Sequence, residues 1–492
     1  MLRPNFSTLL PLFIVATSFS VIAQEAKLPD TPAGSRVAAY IKAFNSGDAA
    51  VMRDFQNNNL TAATLQRRTD AERQQMYQQI YGNLGGLELK RVVEATNDAI
   101  TVLFFTKTQI WATLSFEFEA QPPHKITGIG FEVDSNPPPD AESASSRPTT
   151  DAELISTVND YLDKLVQADE FSGVVLLAKN GKPIFHKAYG LANKTYNAPN
   201  QLDTKFNLGS INKIFTKIAI VQLAEQGKLA FDDPIRKHLP DYLNRDAAAK
   251  VTILHLLNMS SGIGDFFNEK YDDTPKNKIR SIKDYLPLFV NAPLEFEPGT
   301  RRRYSNGGYI VLGAIIEALS GQDYYTYVRE HIFKPAGMEN SDSYELDALA
   351  LNVATGYTRR SSANGREDIV RRSNIYTAPA RGSSAGGGYS TAEDLLKFTL
   401  ALQNGKLLNS EYSAWILAGR DAAPPSRTNG KAAPKKITEG GLGIAGGAPG
   451  INAILEMDIA SGYTAIVLSN YDPPSAEKVG RQIRSWLPRQ NN

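Results

Sequence analysis

Asn207-Leu-Gly-Ser210-Ile-Asn-Lys213-Ile-Phe215-Thr-Lys-Ile218-Ala-Ile-Val221 is the stretch from which the rest of the chain is read. Ile211, Ile214, Phe215, Ile218 and Val221 leave only a narrow polar face, the pattern of a helix buried at a domain centre. Gly227 marks its expected end. Ser210 and Lys213 are three apart, so on a helix they share a face with Cβ atoms about 5–6 Å apart. A serine hydroxyl is a weak nucleophile until a base takes its proton. A lysine whose surroundings lower its pKa can be that base. At a helix N-terminus, free N–H groups and the dipole would favour a developing anion beside Ser210. The bland alternative is a serine cap and a snorkelling lysine.

Working outward, Tyr304-Ser-Asn306 follows the turn Phe296-Glu-Pro-Gly-Thr-Arg301 and precedes a long apolar run from Gly308. A tyrosine on such a turn can point into a cleft. Tyr81-Gly-Asn83 and Tyr242-Leu-Asn244 share its pattern but not its context. Ser475-Ala-Glu-Lys478 repeats the S-x-x-K spacing, yet it follows Pro473-Pro474 and reads as the start of a surface helix. Gly382-Ser-Ser384-Ala-Gly386 fits the nucleophile-elbow pattern, which needs a histidine after the serine. All five histidines (His124, His186, His238, His255 and His331) precede Ser384, and no two share metal-ligand spacing. Gly441-Leu-Gly-Ile-Ala-Gly446 fits G-x-G-x-x-G without the βαβ context that nucleotide binding requires.

Over about residues 151–488 the chain resembles the serine β-lactamase and penicillin-binding-protein superfamily, in particular its class C-like esterases and D-aminopeptidases. The segments that carry the resemblance occur in family order. Ser172–Gly190 resembles the first hairpin and Phe206–Lys213 the nucleophile segment. Leu256-Leu-Asn-Met-Ser-Ser-Gly262, Tyr304-Ser-Asn306, Pro335-Ala-Gly-Met338, Gly386–Asp394 and Gly443–Gly450 follow. The resemblance implies Ser210 as nucleophile, Lys213 and Tyr304 as its bases, and Asn306 as a partner of the lysine or the substrate. It also implies an oxyanion hole from the backbone N–H groups of Ser210 and Gly447. Two positions depart from the pattern. Ile444 stands where the third motif (K-T-G or H-x-G) opens with lysine or histidine, and Met259 stands where many relatives have histidine. An apolar Ile444 lining the cleft would disfavour a substrate carboxylate. Arg301, Arg302 or Arg303 could rescue carboxylate binding if one reaches the cleft.

Length and composition set the frame. The chain has 492 residues, enough for more than one domain. With 42% hydrophobic and 21% charged residues it reads as an ordinary soluble globular protein. A net charge of +1 gives no reason to expect nucleic acid. The absence of cysteine excludes disulfides, thiolate metal sites and a lipoprotein anchor. Arg3, the apolar run Leu9 to Ile22 and Val-Ile-Ala23 before Gln24 read as a secretory signal over residues 1–23. Residues 30–134 give helical patterns and then four strand-like runs: Leu87–Ala95, Ile100–Lys107, Ile110–Glu119 and Ile126–Val133. That order resembles the NTF2-like (SnoaL-like) α+β cone, with a docking or targeting role more in keeping than catalysis. Residues 135–150, rich in proline and serine, form a linker. For residues 151–490 the resemblance implies the β-lactamase-like domain: an antiparallel sheet with flanking helices, plus a mostly helical half from about 230 to 385.

The fold class expected is therefore α+β and multidomain. The function expected is an exported serine hydrolase, periplasmic or secreted, cleaving a small ester, amide or peptide through an acyl-enzyme on Ser210. No cofactor, metal, nucleic acid or stable membrane insertion is expected. The alternatives are a D-amino-acid peptidase or carboxypeptidase of cell-wall peptides, and a catalytically inactive binding protein.

Overall fold

The computed structural model describes residues 27–66, 68–96, 98–108, 111–119, 121–134, 148–360, 367–419, 422–425 and 437–487. The expected signal segment and residues 135–147 of the expected linker lie outside these. The chain divides into two compact units, Met1–Ser145 and Ser146–Asn492.

In the first unit, α1 (Pro32–Asn45), α2 (Ala49–Asn59), α3 (Ala62–Gln66) and α4 (Asp70–Leu84) precede β1 (Leu87–Ala95), β2 (Ala99–Thr106), β3 (Trp111–Phe118) and β4 (Ile126–Asp134). The strands pair in chain order as an antiparallel meander. Asp48 ends the break between α1 and α2 by accepting from the Ala50 N–H at 2.7 Å. Thr69 and Glu72 form a capping box at the start of α4. Val102, Phe104, Leu114 and Phe116 on the sheet meet Val37, Phe44, Met52 and Phe55 on the helices in one core.

In the second unit, α5 (Asp151–Gln167) leads into β5 (Gly173–Lys179) and β6 (Lys182–Tyr189), joined at Asn180 and Gly181, both at positive φ. β5 lies near the middle of a five-stranded antiparallel sheet. Its other neighbour is the strand Tyr463–Ser469, then Ile451–Asp458, with Gly441–Ala448 at the edge. Side chains of successive residues leave a strand on opposite faces, and β5 is apolar on both. Val174, Leu176 and Ala178 join the main core, while Val175 and Leu177 join a second core with α5 and the helix Ser475–Trp486. The main core holds α6 (Lys213–Glu225) and the helix Asn306–Ser320, whose side chains Phe215, Ile218, Ile310 and Ile315 are fully buried. The lysine of Ser475-Ala-Glu-Lys478 pairs with Glu170 at 2.8 Å, on the far side of the sheet from α6.

Candidate active site

Ser210 sits in a single 3-10 turn, Gly209–Asn212, immediately before α6, so the α-helix proper starts at Lys213 and not at Ser210. Gly209 has φ +50°, and the turn presses against the edge strand Gly441–Ala448. A Cβ at Gly446 would lie 2.0 Å from the Leu208 carbonyl oxygen and 2.9 Å from the Ser210 nitrogen. Only a residue without a side chain allows this approach. Ser210 and Gly447 line the same cleft.

Tyr304 closes the site from the helical half. Its neighbour Ser305 caps the helix Asn306–Ser320, accepting from the Gly308 N–H at 2.9 Å and donating to the Gly264 carbonyl at 3.1 Å. Arg303 N–H donates to the Met259 carbonyl at 2.8 Å, which fixes the approach to Tyr304. Tyr304 Oη then lies 2.5 Å from Ser210 Oγ. The tyrosine is half exposed at 50%, whereas Lys213 is only 7% exposed.

Lys213 Nζ lies 3.2 Å from Ser210 Oγ, donates to Asn306 Oδ1 at 2.7 Å and donates to the Ala385 carbonyl. It stands 4.8 Å from the centre of the Tyr304 ring. Burial pushes its pKa from 10.5 down to about 7, with Asp265 opposing the shift. A neutral amine has two N–H donors and one lone pair. Asn306 Oδ1 and the Ala385 carbonyl can only accept, and Asn306 is held in that orientation because its Nδ2 donates to Asp265 Oδ2 at 2.7 Å. Both N–H groups are thereby occupied. The lone pair is left for the Ser210 hydroxyl, the arrangement that proton abstraction needs.

The sequence indicated Ser210, Lys213, Tyr304 and Asn306, and the structure brings them together. It missed Asp265 and the Ala385 carbonyl. Asp265, in Ile263-Gly-Asp265-Phe-Phe267, was legible only as a lone acid in an apolar run. A backbone carbonyl leaves no trace in sequence. The loop around Ser384 serves α6 instead of offering a second nucleophile. Asn212 Nδ2 donates to the Ser383 carbonyl at 2.8 Å and Thr216 Oγ1 to the Ser384 carbonyl at 2.7 Å. The Ser384 side chain itself is fully buried.

Two expectations need correction. Ile444 is half-buried against the main core and is not among the residues lining the cleft. Its strand alternates, and Leu442, Ile444 and Gly446 share the inward face, where the apolar side chain packs instead of meeting substrate. Nor do Arg301, Arg302 and Arg303 line the cleft; among the described residues, Arg381 is its one charged lining residue. Its Nε donates to the Ser343 carbonyl at 2.8 Å, its Nη1 is 3.7 Å from Glu345, and its guanidinium stacks on Tyr325 at 3.6 Å. The cleft, about 590 Å³, is otherwise walled largely by apolar and aromatic side chains, Phe266, Phe267, Tyr271, Tyr344 and Ile451 among them.

A buried lysine and a tyrosine converging on one serine, set between an antiparallel sheet and a helical half, define a class of serine hydrolase built for acyl transfer. The chain belongs to the beta-lactamase family, whose model matches residues 133–486, and it is a serine hydrolase of that family. It is similar to PbpX of Bacillus subtilis (strain 168), a candidate penicillin-binding protein. The two are 29% identical over 362 residues, 73% of this chain and 85% of that one. It is also similar to the penicillin binding protein from Bacillus halodurans, with 34% identity and a TM-score of 0.56 over 65% of this chain and 99% of the other. The D-amino acid amidase from Ochrobactrum anthropi aligns at 25% identity and a TM-score of 0.55, covering 68% of this chain and 97% of the amidase.

Proposed function

We propose that the protein is an exported hydrolase that cleaves neutral esters or amides through an acyl-enzyme on Ser210. The observation that carries this reading is Lys213: buried, shifted to about pKa 7, and 3.2 Å from Ser210 Oγ with both of its N–H groups already engaged. In this mechanism the Lys213 lone pair takes the Ser210 proton, directly or through the Tyr304 hydroxyl, as Oγ attacks the carbonyl carbon. The new oxyanion accepts from the N–H groups of Ser210 and Gly447, and losing one such donor typically costs roughly 10²–10³ in rate. Collapse of the tetrahedral intermediate breaks the ester or amide bond, and the leaving oxygen or nitrogen takes the proton back through Tyr304. Water, deprotonated by the same pair, then releases the acid and restores Ser210.

The neutral substrate follows from the apolar cleft and from Arg381, which is already bound to Ser343 and Glu345. A carboxylate there would lose hydration and gain only a shared partner. A short-chain neutral ester should therefore be hydrolysed faster than nitrocefin or a D-Ala-D-Ala peptide at equal concentration. Faster turnover of either carboxylate substrate would refute this specificity. A second reading, D-amino-acid amide hydrolysis, is favoured by the similarity to the Ochrobactrum anthropi amidase, and D-phenylalanine amide belongs in the same comparison. Export rests on the segment from Arg3 to Ala23. For the first unit we infer an NTF2-like cone with a docking or targeting role, supported by its order of helices followed by a four-stranded antiparallel meander.

A further inference from the structure

One wall of the Ser210 cleft is a cluster of rings. Phe266, Phe267, Tyr271 and Tyr285 all line the cleft, and they pack on one another. The Phe266 ring centre lies 4.4 Å from that of Phe267, 5.6 Å from Tyr271 and 4.9 Å from Tyr285, and Phe267 meets Tyr271 edge-on at 5.1 Å. Phe266, Tyr271 and Tyr285 are buried, whereas Phe267 is 59% exposed. Lys276 Nζ already stands 4.2 Å from the centre of the Tyr271 ring, and the Tyr285 hydroxyl donates to the Arg381 carbonyl at 2.9 Å. Of the four rings, Phe267 is the one that the wall leaves open.

Asp265 ties this wall to the chemistry. Its Oδ1 accepts from the Phe267 N–H at 3.1 Å and its Oδ2 from Asn306 Nδ2 at 2.7 Å, and Asn306 in turn accepts from Lys213. The Ser305 hydroxyl, next to Tyr304, donates to the Gly264 carbonyl at 3.1 Å. The short segment from Gly264 to Phe267 is thus bonded both to the partner of the base and to the turn that carries Tyr304, which sets the backbone of Phe267 relative to Ser210. A lone exposed apolar side chain is ordinary. An open ring packed on buried ones, in the wall of a nucleophile's cleft, offers one more ring the offset or edge contact, at about 4.5–7 Å between centres, that aromatic pairs prefer. No carboxylate is among the described lining residues, and Arg381 is a cation there. The group that fits is therefore an uncharged ring and not an ammonium.

We propose that Phe267 is the platform of an aryl subsite: with the scissile bond at Ser210, an aromatic ring of the substrate packs on the open side of Phe267. This deepens the proposed esterase or amidase function and rests on it. The substrate class is a neutral ester or amide that bears an aryl ring on its acyl or its alcohol side.

The test uses the full-length protein and matched esters. Ethyl phenylacetate and ethyl 3-phenylpropanoate carry the ring on the acyl side, benzyl and 2-phenylethyl acetate on the alcohol side, and each is paired with its cyclohexyl counterpart. The counterpart keeps the size and apolarity and removes the π-system, so the pairs separate a ring platform from a merely apolar cleft. Each kcat/KM is divided by the ester's own alkaline hydrolysis rate and expressed relative to ethyl acetate in the same protein. In at least one pair the wild type should prefer the aryl ester about threefold or more. Phe267→Leu should bring that preference to about one, and Phe267→Trp should keep it. Calorimetric binding of phenylacetone and cyclohexylacetone to the Ser210→Ala protein gives a readout independent of turnover, with phenylacetone preferred and the preference lost when Phe267→Leu is added. The inference is overturned if aryl and cyclohexyl esters are treated alike in every pair, or if the preference survives Phe267→Leu. If Ser210→Ala keeps full ethyl acetate turnover, the acyl-enzyme reading fails and this proposal falls with it. If Ser210→Ala is inactive and the wild type ignores the ring, only the aryl subsite is refuted.

Discussion

Lys213 is where chemistry and stability meet. Its folded pKa of about 7 lies below the ordinary 10.5, because burial disfavours the ammonium. The free enzyme's kcat/KM should therefore rise with pH through about 7 as the amine becomes the neutral base. The same shift fixes a sign for stability. Between about pH 7 and 10.5 the unfolded chain holds a proton that the folded chain does not, so stability gains as pH rises through that window, at up to about 1.4 kcal/mol per pH unit. Lys213→Met should remove this slope, seen as the wild-type and variant denaturation midpoints drawing apart steadily from pH 7 to 10. Parallel curves would show that Lys213 is ordinarily charged in the folded state. Lys213→Met and Tyr304→Phe should each lower kcat by orders of magnitude, and the double variant by far less than the product, since groups sharing one proton path are not additive. A simple product would count against the shared path.

At the scale of elements, the site depends on how closely the edge strand Gly441–Ala448 approaches the turn before α6. Gly446→Ala places a Cβ 2.0 Å from the Leu208 carbonyl oxygen, backbone against backbone, so strand and turn must separate. We expect kcat to fall by tenfold or more and the thermal midpoint to drop. Gly443→Ala on the same strand meets nothing within 4 Å and should change neither; equal behaviour of the two would show that the close approach is unimportant. Much of this was legible in sequence because periodicity and motif report local structure. Apolar spacing indicated α6, and the turn Lys179-Asn-Gly-Lys182 indicated the β5–β6 hairpin. The four strand-like runs of the first unit match β1 to β4 closely. What was not legible is long-range. Asp265 supports Asn306 from 41 positions away, and the Ala385 carbonyl reaches Lys213 across 172. The inward packing of Ile444 depends on which face of an edge strand meets the core, and alternation alone does not say which.

For the whole molecule, the division into Met1–Ser145 and Ser146–Asn492 predicts that the hydrolase unit folds without the first. A fragment beginning near Ala144 should unfold in one cooperative transition and keep its turnover of a small ester, as calorimetry and an ester assay would show. An insoluble or inactive fragment would mean that the first unit is needed for folding. The central claim, that Ser210 carries the acyl group, is tested most directly by treating the intact protein with a fluorophosphonate and mapping the adduct by mass spectrometry. The account predicts a single stoichiometric adduct on Ser210, absent from a folded Ser210→Ala protein that no longer hydrolyses esters. An adduct on Ser384 or another serine, or ester turnover that survives Ser210→Ala, would contradict it.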